Sequence, residues 1–439
     1  LNADSLAVAA AAGVGAAILG FVLRRSLLPF LAVMAGVALA ASLVGIGQGR
    51  APPPQQPSPP AAAGQGPAIV HLILDEHIGV EGAPGARLRR ELTDFYRSRG
   101  FTLFGRAYSQ HFHTVNAIPH MLNFGAPPGS QTPEEGMRLA ANAWFSALGR
   151  RGYRVDVHQS EFLDFCGHPA VRACAGYDST RLDVLASAPL AATDKAGLIA
   201  MRLAMLSEML AGLVNSYEGA RMGGAGLPDL GTSVGGRVSM LNALAAFDRL
   251  IGTLRSARPG RAYFAHLLLP HYPYGLAADC GVRPVGSWMV RRSGAPLAAR
   301  EAAYADQLRC AMRRIDAALA ALAASPAGRD AIVLIHGDHG SRITAVEPLA
   351  GNAGRIGARD MIAGFSTLLA VRLPGAAPAY REEPVPVAAL LAYLARSGFS
   401  SLPAPGAGPR RPTVLLDDAA WVPRRAAPLP ASWSRAGAR

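Results

Sequence analysis

Asp338 and His339 stand side by side in A-I-V-L-I-H-G-D-H-G, Ala331 to Gly340, where an apolar run breaks abruptly into an acid and an imidazole. A carboxylate beside an imidazole offers a hard and a borderline donor to a metal ion, and Gly337 and Gly340 let the backbone turn closely around one. A second run of the same kind, A-I-V-H-L-I-L-D-E from Ala68 to Glu76, ends in Asp75 and Glu76, with Gly79 soon after. Either run alone reads equally well as a strand entering a polar turn. Two buried-type strands ending in ligand-type residues, far apart in the chain, are what a metal site between neighbouring strands requires.

A nucleophile candidate follows the strand expected at Phe101 to Tyr108, in S-Q-H-F-H-T-V-N-A-I-P-H from Ser109 to His120. Thr114 lies just ahead of a helix whose opening the sequence places near Pro119. A helix N-terminus suits a phosphate or sulfate oxyanion. Threonine is a poor nucleophile at its ordinary pKa, and coordination to a divalent metal is one of the few ways to make it an alkoxide. The plain alternative is that Thr114 caps the helix. A fourth landmark is Y-F-A-H-L-L-L-P-H-Y-P-Y, Tyr263 to Tyr274, in which His271 is boxed between Pro270 and Pro273. Such a rigid loop can aim an imidazole at a leaving group or a second metal. His266, mid-strand, reads as core, and Tyr272 and Tyr274 read equally well as packing.

The elements that must position these residues alternate as a doubly wound α/β sheet does. Strands are expected at Ala68 to Glu76, Phe101 to Tyr108, Tyr153 to His158, Ala262 to Leu269, from Ala331, and at Thr367 to Arg372. Helices are expected at Arg87 to Arg99, closed by Gly100, at Met137 to Arg150 and at Ala298 to Ala324. Leu198 to Val214 is apolar but interrupted by Arg202 and Glu208, which makes an amphipathic helix rather than a membrane span. Open α/β sheets keep their chemistry at the carboxyl ends of strands, where all of these acids fall.

Two uncharged stretches precede this domain, Leu6 to Leu23 and Leu27 to Ile46. Each is close to the ~20 apolar residues of a membrane helix, whereas a cleavable signal core is only ~7 to 15. Arg24 and Arg25 between them place the tight turn in the cytoplasm and the bulk of the protein on the far side. The expected organisation is a transmembrane hairpin over 1–49, a proline-rich, semi-rigid spacer over 50–67, a catalytic domain over 68–401, and an irregular basic segment over 402–439 with a short strand at Thr413 to Leu416.

The 439 residues carry 43 Lys and Arg against 30 Asp and Glu, a net charge of +13 and a pI near 10.2. These cations are scattered and no nucleic-acid motif accompanies them, so anionic lipid head groups of a bilayer, not nucleic acid, are the expected partner. Four cysteines fall as two local pairs, Cys166 with Cys174 and Cys280 with Cys310, among three possible pairings. No C-x-x-C spacing supports a zinc knuckle, and disulfides fit an oxidising compartment.

Taken in order, L-D-E-H, T-V-N-A-I-P, P-H-Y-P and G-D-H-G make the chain, over about Ile69 to Tyr393, resemble the sulfatase-like branch of the alkaline phosphatase superfamily. The resemblance implies a mostly parallel α/β sheet sandwiched by helices, here behind the membrane hairpin. No C-x-P-x-R or S-x-P-x-R motif occurs, so a typical formylglycine sulfatase is not expected. The T-x-x-x-x-P spacing from Thr114 to Pro119 is similar to that of membrane-anchored phosphoethanolamine and phosphoglycerol transferases. Position by position, that likeness implies that Glu76, Thr114, Asp338 and His339 hold a divalent metal, with Asp75 assisting. Zn2+ is the first choice, with Mn2+, Mg2+ or Ca2+ as alternatives. His271 and Asn116 would contact the substrate.

The implied reaction is attack by Thr114 on a phosphodiester donor of the phosphatidylethanolamine or phosphatidylglycerol type. His271 would protonate the leaving group, and a glycan or lipid hydroxyl would resolve the phosphothreonine. With water as the acceptor the same residues make a hydrolase of phosphate or sulfate esters, and a non-catalytic envelope protein retaining the fold is the third reading. The sequence departs from the transferases in three places. Two acids end the first strand where those enzymes have Gly-Glu, Ser341 follows D-H-G in place of Glu, and two spans are visible where they have about five.

Overall fold

A computed structural model describes residues 66–126, 139, 141–179, 181–206, 238–290 and 294–430. The expected membrane hairpin and nearly all of the proline-rich spacer lie outside the described residues, and among those described no helix is long and apolar enough to cross a membrane. The chain divides into two compact units, Leu1–Pro53 with Lys195–Leu227, and Pro54–Asp194 with Pro228–Arg439. Of the first, only 195–206 is described, within the helix Ala192–Leu206. That helix covers the first half of the amphipathic stretch read from Leu198.

The second unit is built on a sheet whose order, among the described strands, is β4-β3-β5-β1-β6-β7-β2-β8. These are β1 (Ile69–Leu74), β2 (Thr102–Tyr108), β3 (Arg154–Ser160), β4 (Val171–Tyr177), β5 (Arg261–Leu267), β6 (Ile332–Gly337), β7 (Leu369–Arg372) and β8 (Ala379–Pro386). Every adjacent pair is parallel except the two that β7 makes, with β6 and with β2. All six residues of β1 and of β6 are buried. Ile69 and Ile73 of β1, with Ile332 and Leu334 of β6, enter one core cluster together with the helices Thr114–Leu122, Ala143–Arg150 and Val387–Ser397. The intervening Val70, Leu72, Val333 and Ile335 are as deeply buried, as the alternation of strand side chains demands of a sheet covered on both faces.

Helix Gly85–Arg97 buries Leu88, Leu92 and Tyr96, a stripe four residues apart, and ends near Gly100 at φ +83°. The helix read from Met137 begins only at Ala143, because the Asn142 side chain accepts from Phe145 N–H at 2.7 Å and caps it there. The helix read as opening near Pro119 in fact opens at Thr114 and carries Pro119 inside it. Both edge strands escape the sequence pattern. β4 alternates little, and β8 holds Pro384 and Pro386, which a strand tolerates only at an edge.

The tail expected to be irregular forms an antiparallel hairpin of β9 (Thr413–Asp417) and β10 (Pro423–Pro428). Both cysteine pairs are disulfides, Cys166–Cys174 and Cys280–Cys310.

Candidate active site

The parallel register places Leu74 opposite Gly337 of β6 on one side and opposite Leu267 of β5 on the other. The residues just beyond these three strand ends are therefore neighbours. Asp75 and Asp338 leave adjacent strands at the same level, and the β5 chain runs on to His271. The chain departs from β1 to one side of the sheet for β2 and to the other for β3 and β4, so this is also where strand order reverses.

Ligand-type atoms converge here in two overlapping sets, Asp75 with Asp338 and His339, and Asp75 with Glu76 and His271, each within 4.8 Å. Asp75, expected only to assist, is the member common to both. Glu76 adopts φ +63°, uncommon for a residue with a side chain, and is over-determined. Its N–H donates to Asp338 Oδ1 at 3.0 Å, its carbonyl accepts from the Tyr304 hydroxyl at 2.6 Å, and its Oε2 accepts from the Tyr274 hydroxyl at 2.8 Å. The two tyrosines therefore act on the site, one on the backbone and one on the carboxylate.

His339 donates from Nδ1 to the Gly340 carbonyl at 2.7 Å, which leaves the Nε2 lone pair facing Asp338 Oδ2 at 3.2 Å and Thr114 Oγ1 at 3.3 Å. His271 is held in the same way, Nδ1 to the Tyr272 carbonyl at 2.6 Å, with Nε2 3.9 Å from Glu76 Oε1. Its side chain is 15% exposed whereas the acids are sealed, which places it at the mouth. Thr114 is the first residue of its helix and donates from Oγ1 to Asp75 Oδ2 at 3.3 Å. A Cβ at Gly340 would collide with the Ala363 carbonyl, and one at Gly337 with the His77 carbonyl, so these glycines serve close backbone approach behind the ligands.

Three carboxylate oxygens, Asp75 Oδ1, Glu76 Oε1 and Asp338 Oδ2, are buried without a hydrogen-bond partner. Burial pushes the Glu76 carboxyl up and the Asp338 carboxyl well up, the latter raised further by the charge of Asp75. Burial presses Asp75 the same way, but His271, His266 and His339 outweigh it and hold that carboxyl below the usual range. Burial and then Arg342 push His339 down, towards the neutral imidazole a metal takes. Unpartnered buried oxygens beside the His339 Nε2 lone pair fit a hard or borderline divalent cation, which would relieve the cost of keeping these acids ionised.

Asn116, expected to contact substrate, is not brought into this cluster. Its Nδ2 donates to Asp417 Oδ2 at 3.1 Å and to the Trp421 carbonyl at 2.6 Å. Besides Tyr304, three participants escaped the sequence. His266 is buried as core, yet its Nε2 lies 3.6 Å from Asp75 Oδ2. Asp417 takes His113 Nδ1 at 2.7 Å. Arg342 reaches His339 Nε2 at 3.1 Å from its Nη2. Only the placement of Arg342 three residues past His339 could have singled it out.

No protein-family model matches the sequence, and no curated protein matches it. Among solved structures the fold is similar to the C-terminal periplasmic domain of EcEptC from Escherichia coli, in complex with Zn, at 10% identity and a TM-score of 0.47, covering 83% of this chain and 93% of that one. It is similar to a 2-O GAG sulfatase at 13% identity and a TM-score of 0.47, over 80% of this chain and 78% of that one. The phosphonate monoester hydrolase of Agrobacterium radiobacter is similar at 13% identity and a TM-score of 0.42, over 80% of each chain. Similarity at this level says nothing of substrate or reaction. The resemblance of the chain to the sulfatase-like branch of the alkaline phosphatase superfamily is carried by its own motifs, L-D-E-H, T-V-N-A-I-P, P-H-Y-P and G-D-H-G.

Proposed function

We propose that this protein is a metal-dependent, membrane-tethered phosphotransferase that takes the head group of a phosphodiester lipid onto Thr114 and passes it to a glycan or lipid hydroxyl. The observation that carries the reading is the position of Thr114 Oγ1, 3.3 Å from both Asp75 Oδ2 and His339 Nε2 at the start of a helix. Asp75, Glu76, Asp338, His339 and Thr114 would hold the metal, zinc being the first choice. When bound it would supply charge neutralisation at the phosphoryl oxygens and lower the pKa of the Thr114 hydroxyl.

The Thr114 hydroxyl directs its proton at Asp75 Oδ2, so the carboxylate is placed to accept it as the Oγ1–P bond forms. The opposite P–O bond of the diester breaks, and the leaving diacylglycerol-type alkoxide takes the Nε2 proton of His271 in its imidazolium form, at the mouth, which leaves the neutral ring with its Nδ1–H on the Tyr272 carbonyl. The helix start faces the transferred group with its positive dipole end. The acceptor hydroxyl then displaces Oγ1, its proton passing to the same imidazole, and the departing Thr114 oxygen takes back the proton held by Asp75, which regenerates the hydroxyl.

Two disulfides support an extracytoplasmic site of action, and the uncharged stretches Leu6 to Leu23 and Leu27 to Ile46 support tethering close to the donor lipid. The test is intact-mass analysis of the purified protein after incubation with vesicles of phosphatidylethanolamine or phosphatidylglycerol. A phosphoethanolamine or glycerophosphate adduct that maps to Thr114 and is absent from Thr114→Ala is the expected result. Release of free phosphate or sulfate from simple esters with no adduct would make the protein a hydrolase instead.

A further inference from the structure

Arg342 is a buried cation whose donors are largely unspent. Its side chain is 10% exposed, and although burial opposes the charge, Glu76 and the other acids around it outweigh burial and hold the guanidinium charged. Nη2 lies 3.1 Å from His339 Nε2 and 3.5 Å from Thr114 Oγ1, and Nε lies 3.5 Å from Glu76 Oε1. A buried arginine normally forks onto a carboxylate with two parallel hydrogen bonds. Here the nearest carboxylate oxygen stays at 3.5 Å, and Arg342 Nε and Glu76 Oε1 are both buried without a hydrogen-bond partner. The Phe112 ring lies 5.8 Å from the guanidinium carbon. The guanidinium is thus held among the candidate ligands without being consumed by them.

We propose that Arg342 is a specificity-determining residue that takes a non-bridging oxygen of a phosphoryl or sulfuryl group seated at Thr114. This deepens the reading given under Proposed function and rests on it for the placement of the group against Thr114. A tetrahedral centre approached by Oγ1 at about 3 Å carries its equatorial oxygens about 1.5 Å further out, within the roughly 2.7–2.9 Å reach of a charged N–H that itself stands beside Oγ1. The planar fork matches two oxygens of one tetrahedral anion, which a lysine ammonium cannot do. Phosphoryl and sulfuryl groups share this shape, so the geometry names the class and not the element.

Binding can be measured without turnover, which separates this proposal from the transfer reaction. The zinc-loaded full-length protein, its Arg342→Gln and Arg342→Lys variants, and the metal-stripped protein are titrated calorimetrically with inorganic phosphate and, separately, inorganic sulfate. Zinc content and thermal melting are followed on each. The expected result is at least 30-fold weaker anion binding by Arg342→Gln at unchanged zinc content, with Arg342→Lys at least 5-fold weaker than wild type. The anion that shows this dependence identifies the phosphoryl or the sulfuryl class. Wild-type protein that binds neither anion, or Arg342→Lys and Arg342→Gln that both bind within twofold of wild type, would overturn the proposal. Should Arg342→Gln fail to fold, the lysine variant decides alone by the same thresholds. A Thr114 adduct with Arg342-independent anion binding removes this inference and leaves the transferase, whereas Arg342-dependent binding without an adduct does the reverse.

Discussion

The backbone N–H of Glu76 donates to Asp338 Oδ1 at 3.0 Å across 262 positions of sequence, so one strand end holds the side chain of the next. The same Oδ1 accepts from His339 N–H at 2.9 Å, while Oδ2 has no hydrogen-bond partner and faces His339 Nε2. One oxygen is structural and the other is free to ligate. Asp338→Asn should therefore keep the fold, because an amide oxygen still accepts both N–H groups, yet lose metal affinity by about 100-fold or more, as loss of a charged ligand outweighs the 10- to 100-fold of an outer partner. Asp338→Ala should lose the metal and in addition about 1–3 kcal/mol of stability, since two buried donors go unmet and the left-handed Glu76 is released. Zinc determined after dialysis against a buffered chelator decides the first point. Wild-type zinc in Asp338→Asn would remove Asp338 from the ligand set.

The disulfides should differ in worth. Cys280–Cys310 closes a separation of 30 residues and ties the chain beyond His271 to the long helix Leu297–Ala323, whereas Cys166–Cys174 closes only 8. Loop-closure entropy gives about 3.5 kcal/mol for the longer and about 2.5 kcal/mol for the shorter. Paired Cys→Ser variants compared by urea unfolding should rank in that order, and only the longer pair should also raise the KM for substrate, because it anchors the chain that follows His271. Equal losses of stability in the two variants would show that native-state effects override the entropy.

How much of the site could be read beforehand follows the physics of each residue. Asp75, Glu76, Asp338 and His339 were legible because two apolar runs far apart in the chain both end in ligand-type residues, and parallel pairing brings such ends together. Thr114 was legible as a helix-start residue, although the helix boundary was misplaced: Pro119 reads as a first-turn proline but lies in the sixth position of the helix. Arg342 was not legible because arginine is common here and its role depends on which donors remain unspent. A side chain beside a nucleophile can face either way, and that of Asn116, expected at the substrate, faces the C-terminal hairpin. The strand at Thr413 to Leu416 was legible, and β9 extends it by one residue to Asp417, but the role of that buried acid exists only once the chain has folded back onto His113 and Asn116.

Acid should destabilise the protein through a buried histidine of β3. Burial, aided by Arg249, pushes His158 of β3 down to about 4. Its folded value lies below the unfolded value of about 6.5, so the neutral ring is favoured by folding. The contribution is therefore complete above about pH 6.5, is lost as pH falls towards 4, and is flat below that, amounting to about 3 kcal/mol at most. His158→Gln removes the titration, so its melting temperature should fall less between pH 7 and pH 4.5 than that of the wild type, both measured metal-free. Parallel pH profiles for the two proteins would assign the acid limb elsewhere.

Asp417 should matter to Thr114 without touching it. Its buried carboxylate takes His113 Nδ1 at 2.7 Å and Asn116 Nδ2 at 3.1 Å, with His111 Nδ1 at 3.7 Å. Burial would raise this carboxyl, but His111 and His113 outweigh it and hold it below the usual range. The residue immediately before Thr114 and the one two places after it are thus pinned by a single acid from the C-terminal hairpin. Asp417→Ala should cost about 3 kcal/mol, the order expected when one partner of a buried polar cluster is removed, and Asp417→Asn less than half of that because an acceptor remains. If the pinning sets the helix start, turnover should fall more than 10-fold in Asp417→Ala, with zinc retained and with recovery in Asp417→Asn. Urea unfolding at matched m-value measures the stability, and kcat with KM measures the positioning. An Asp417→Ala protein that is destabilised but keeps its kcat would reduce the hairpin to a structural clasp.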